Sequence, residues 1–356
     1  MNTRSECIEI VRKLAIKLNS NISFKEEDGF SYLATIRNGI ITCPVYQEAL
    51  LILYELDDKE KIFDYLFSLY MIDNDEYELC NELLSELEEK GLPVCADSDA
   101  LYTSIFIKQL FLILHEYGHY LFATRDDIKK RFYEGMNRIG NEMFEDFSLD
   151  DSDIDMVINK IAKINKTHSY DSLYRNLFLN TNYKEKNQVF LSKSHNIEES
   201  AADLFAIFHL NDYLENYKIK TNVETGKCVF EAASFVGGLT HSQKILQLIG
   251  ETDDEEYHRK IFDPQSKINI NLSRFIMLLI IIENYFGFDQ SDNLDLTLNY
   301  FMMPFIGYSI DEEKNEKYVD AWVKGNDNMI NLEIREKLHK RIMDYSNSLL
   351  SLYGQN

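Results

Sequence analysis

A chain of 356 residues with 45% hydrophobic and 13% aromatic side chains can bury a large core, as one big domain or two closely packed ones, and falls outside the disordered class. Sixty acidic residues against 37 basic ones leave a formal charge of -23, which opposes binding to nucleic acid and to anionic membrane surfaces; such a field suits cationic partners or simply keeps the chain soluble. The five cysteines, Cys7, Cys43, Cys80, Cys95 and Cys228, are scattered and odd in number, matching neither a disulfide framework nor a metal knuckle, and point to a reducing, cytoplasmic setting.

Residues 1–20 spread charges through an apolar pattern and read as an amphipathic helix rather than a secretory leader. Residues 30–45 hold two β-rich runs on either side of Asn38 and Gly39, a pair that tolerates positive φ at both positions and so predicts a type I′ hairpin. Pro44 ends the second strand or marks it as an edge. From residue 46 onward, apolar residues recur every three or four positions over 46–56, 60–72 and 78–90, predicting successive helices, and Gly91 and Pro93 stop the last of them. The fold class expected is α+β, mainly α-helical, with a small N-terminal β-hairpin or sheet. Asp97 to Asp99 offer caps for the long helix that follows.

That helix carries H-E-Y-G-H over residues 115–119. One helical turn separates His115 from His119, so both imidazoles project from one face, the spacing that two ligands of a tetrahedral metal require. Glu116 is offset from that face and suits a general base acting on water, then a proton donor to a leaving amine. With eight histidines in the chain, composition alone yields this pattern in only roughly one such chain in a hundred. The plain alternative is a helix with two partly exposed histidines. Gly118 is disfavoured within a helix by about 1 kcal/mol and suggests close approach of backbone or ligand, whereas Tyr117 lies round the helix and reads as packed. The residues after His119, Y-L-F-A-T-R-D-D, exclude the version of the motif with a third histidine.

Downstream, Asp151, Asp153 and Asp155 mimic the start of a calcium loop, but Met156 and Ala162 occupy its glycine and glutamate positions, so a solvated acidic loop is expected there. The acidic stretch 145–155 and the polar stretch 181–196 are candidate boundaries. Residues 197–206 are helical in pattern, with Glu199, Ala202, Asp203 and Ala206 on one face and the alanines small enough for close helix approach. Glu199 could complete a His-His-Glu site, with Glu198 as its competitor about 100° round the helix, and Asp203 could accept from the non-ligating nitrogen of His115. His195 reads as a surface residue or a further ligand, His209 as a buried polar residue and His258 as surface. No apolar run reaches the roughly 20 residues that a bilayer crossing needs; the longest, Phe275 to Ile282, is bounded by Arg274 and Glu283. Phosphate-binding glycine loops and a serine nucleophile elbow are missing from the sequence. Residues 329–353 close the chain as an amphipathic helix.

Taken together, H-E-Y-G-H followed by E-S-A-A-D resembles the gluzincin metallopeptidases, whose signature is HExxH followed by ExxxD, and in particular small cytosolic bacterial and phage-exclusion peptidases. The resemblance implies a zincin-like core over residues 1–250 with an insertion near 125–195, and a helical region over 251–356 packed on it. It implies Zn2+ held by His115, His119 and Glu199, with Glu116 catalytic, Asp203 supporting a ligand, and a protein or peptide substrate lying along an edge strand. Thr240, His241 and Ser242 are similar to the segment that supplies an oxyanion-stabilising histidine in some gluzincins, although serine stands where proline is expected and no arginine follows; an exposed or capping His241 is the alternative. Two other readings stay open: a non-hydrolytic regulatory or binding protein with a vestigial or structural metal site, and a core helix with coincidental histidines.

Overall fold

The computed structural model describes residues 3–25, 34–143 apart from 57 and 96, 150–165, 168–169, 171–179, 194–217, 219, 222–233, 235–236, 256, 270–287 and 330–352. The described chain is mainly helical with one small sheet. It divides into two compact units, Met1–Tyr117 with Ile310–Asn356, and Gly118–Ser309.

In the first unit, α1 (Thr3–Lys17) precedes a three-stranded sheet of β1 (Ser23–Lys25), β2 (Thr35–Arg37) and β3 (Ile40–Thr42), in the order β1-β3-β2. Strands β2 and β3 form the expected hairpin, antiparallel with Thr35 opposite Thr42, and Asn38 and Gly39 both take positive φ, 52° and 74°. Strand β1 joins β3 in parallel, Ser23 opposite Ile40; three residues carry no readable period, so sequence pattern alone does not reveal it. Beyond the strand, Pro44 caps α2 (Val45–Glu55), on which every residue from Val45 to Leu53 is buried. Helices α3 (Lys59–Asp73) and α4 (Tyr77–Glu89) follow, α3 capped by Asp58, whose carboxylate accepts from the Lys61 amide at 3.2 Å. Gly91, at φ 65°, ends α4 as the sequence predicts.

The last helix, α11 (Leu332–Leu350), belongs to this same unit. Its apolar stripe of Leu338, Ile342, Tyr345 and Leu349 is buried against α2, α3 and α4. The Tyr65 hydroxyl meets Ser346 Oγ at 2.6 Å, and Arg341 grips Glu88 at 2.8 and 2.9 Å. An amphipathic helix must cover its stripe, and the faces that complete it are set by three-dimensional packing rather than by chain order.

Helix α5 (Ser98–Thr124) runs through the dividing point between Tyr117 and Gly118. Asp97 caps it, accepting from the amides of Asp99 and Ala100 at 3.1 and 3.0 Å. In the second unit come α6 (Asp126–Met143), α7 (Asp151–Asn165), α8 (Asp171–Leu179), α9 (Ser194–Asn216) and α10 (Ile270–Phe286), with α9 packed on both α6 and α10. Phe122, Phe132 and Phe205 cluster with ring centroids 5.2 to 6.2 Å apart.

The segment Asp151 to Asp155, expected as a solvated loop, instead opens α7. Asp150 accepts from the Ser152 amide at 2.8 Å, carboxylates favour the positive end of a helix, and Arg175 pairs with both Asp151 and Asp155. Among the described residues no helix is long and apolar enough to cross a membrane.

Candidate metal centre

On α5 every residue from Leu110 to Leu114 is buried and apolar, and the motif residues follow directly. His115 is 8% exposed, Glu116 and His119 are half-buried, and Tyr117 is fully buried with its hydroxyl bonded to Ser20. Gly118 has a steric reason: a Cβ there would stand 3.2 Å from the Phe205 ring and 3.5 Å from Ala202 Cα, so glycine lets this turn of α5 lie against the small face of α9.

That close approach places the carboxylates of α9 beside the histidines. Donor atoms of His115, His119 and Glu199 all lie within 4.8 Å of one another. The tightest edge, His119 Nε2 to Glu199 Oε1, is 3.3 Å. Two ligand atoms about 2.0–2.1 Å from a tetrahedral zinc stand about 3.3 Å apart, so this edge already has the span of a bound pair. Two imidazoles and a carboxylate are also the donor types that zinc takes in sites with an open fourth position.

The neighbouring Glu198 lies on the other side of the His119 ring. Its Oε1 lies 3.4 Å from the other nitrogen of the same ring, His119 Nδ1, and its Oε2 accepts from the Tyr133 hydroxyl at 3.1 Å. Burial, then the Glu198 charge, push the Tyr133 phenol above its ordinary range, which keeps it a proton donor. His195 is 81% exposed, 3.9 Å from Glu199 Oε1. His209 packs at a tilt against Phe205 and edge-on against Phe208, with centroids 4.4 and 5.0 Å away, and is a half-buried aromatic packing group.

Asp203 is 1% exposed, and both its oxygens accept from Arg274 of α10, Nε at 2.7 Å and Nη2 at 2.8 Å. The same guanidinium reaches Glu199 Oε2 at 2.9 Å through Nη1. Arg274 therefore holds one oxygen of Glu199 and leaves the other turned to His119. On α9 the carboxylates of Glu199 and Asp203 thus share one guanidinium while Glu198 lies against His119, so among these side chains negative charge exceeds positive beside the imidazoles, an arrangement that suits a divalent cation.

Sequence reasoning missed Arg274 and Tyr133. Arg274 left a signal, since a charge beside the apolar run Phe275 to Ile282 needs a buried partner, whereas Tyr133 left none among the chain's 22 tyrosines. His241, with Thr240 and Ser242, lies outside the described residues, as does His258. Compared with protein-family models, curated proteins and solved structures, the chain matches none.

Proposed function

We propose that this protein is a zinc-dependent endopeptidase of the gluzincin kind, acting on protein or peptide substrates in the cytoplasm. The observation that supports it most is the convergence of His115, His119 and Glu199 beside Glu116 on a helix whose sequence is H-E-Y-G-H. Zinc held by those three would supply an acidified water and polarise the carbonyl under attack.

The protein's own groups do the rest. Glu116 is half-buried next to His115, open enough for water to reach, and its carboxylate takes a proton from water and returns it to the nitrogen of the departing amine. Arg274 binds Glu199 Oε2 and so fixes the direction in which Oε1 points. His241 is the candidate donor to the oxyanion, and the solvent-exposed edge strand β2 the candidate seat for an extended substrate.

The deciding experiment pairs elemental analysis with a proteomic comparison of cleavage products in the native cell, wild type against Glu116→Gln. The expected outcome is one zinc per chain in both proteins, with cleavage lost by roughly two to four orders of magnitude in the variant. Full cleavage by Glu116→Gln would overturn the assignment. Stoichiometric zinc with no difference in cleavage would favour a non-hydrolytic binding or regulatory protein, and no zinc would leave a core helix with coincidental histidines.

A further inference from the structure

Adjacent glutamates on one helix ordinarily diverge by about 100°, yet Glu198 and Glu199 meet the same imidazole, one at each nitrogen. His119 is the common partner, with Nε2 toward Glu199 at 3.3 Å and Nδ1 toward Glu198 at 3.4 Å. A histidine can give only one nitrogen's lone pair to a metal, and the other must then carry the proton and find an acceptor.

We propose that Glu198, held by Tyr133, is the positioning residue that keeps the proton of His119 on Nδ1 and so presents Nε2 as the zinc ligand. This rests on the zinc reading above. Glu198 is itself oriented from its far side: Oε2 accepts from Tyr133, whose ring meets Phe122 edge-on at 5.7 Å and carries Lys129 Nζ 5.2 Å from its centroid. Tyr133 sits on α6 and Glu198 on α9, helices that pack directly, so the relay is set by a helix contact rather than by a mobile side chain. With Glu199 oriented by Arg274 and His119 by Glu198, two of the three ligands have an identified support.

The test measures zinc affinity by chelator competition, the visible spectrum of the Co2+-substituted protein, and thermal unfolding of the metal-free protein. Glu198→Ala should weaken zinc about 10- to 100-fold and alter the cobalt bands while metal-free unfolding changes little. Glu198→Gln, whose amide oxygen can still accept from Nδ1, should recover most of that affinity. Tyr133→Phe should lose a few-fold, and it stands as the second variant if Glu198→Ala fails to fold. Wild-type affinity in both Glu198→Ala and Tyr133→Phe would overturn the proposal. So would loss of stoichiometric zinc in Glu198→Ala with its retention in Glu199→Ala, since Glu198 would then be the ligand. A wild-type protein that binds no zinc sinks the zinc reading itself, and this relay with it.

Discussion

Each unit buries a charge on a helix, and the two solutions differ in stoichiometry. In the first unit Lys108 of α5, fully buried, pairs with Glu55, which is 27% exposed, while its ammonium lies 5.1 Å from the centroid of the Tyr54 ring. In the second, Arg274 faces two carboxylates at once, Asp203 fully and Glu199 partly buried, with Glu198 close by. The first arrangement is balanced and half solvated at its acidic end. The second carries more negative than positive charge among its named side chains, next to histidines. A balanced pair can end in packing; an unbalanced cluster has capacity for a further cation.

The largest effect should come from Arg274→Met. It strands the buried carboxylate of Asp203 and should cost about 3–5 kcal/mol of unfolding free energy, measured by denaturant titration. Adding Asp203→Asn should return a good part of that stability without restoring the proposed zinc binding, because the guanidinium that meets Glu199 Oε2 is still missing. Equal losses in the single and double variants would show that the fork to Asp203 is not the buried contact that matters.

Lys108→Met should cost less, about 1–2 kcal/mol, because Glu55 can turn to water. Its zinc affinity should equal that of the wild type. A shift in zinc affinity there would break the contrast between a structural pair and the proposed metal cluster.

Smallest is a buried pair with no charge at all. Tyr65→Phe removes the bond to Ser346 Oγ, yet Ser346 still donates to the Ile342 carbonyl at 2.6 Å, so the expected cost is about 1 kcal/mol, read as a lower midpoint of thermal unfolding. A cost as large as that of Arg274→Met would mean that α11 docks through this hydroxyl rather than through its apolar stripe.

How much of this was legible beforehand follows from the range of each interaction. The hairpin turn, the helix stop at Gly91, the cap at Asp97 and the one-turn spacing of His115 and His119 are set within a few residues, and a sequence shows them directly. The close packing signalled by Gly118 and the alanines of α9 was readable as a tendency, and the partner was supplied by the 3.2 Å approach to Phe205. The acidic run after Asp150 was misread, because composition suggests solvation while a capping carboxylate and Arg175 make the same residues the start of a helix.

The sequence by itself determined a mainly helical chain with a short hairpin and a pair of histidines at metal-binding spacing, because helix and turn geometry are local and periodic. Only the tertiary structure decided which side chains complete the site. Glu198 and Glu199 are neighbours that a helical wheel separates, yet the crossing of α5, α6 and α9 brings both to one imidazole ring, and α10 contributes Arg274 from far along the chain. Contacts between helices depend on crossing geometry, and no local pattern encodes that.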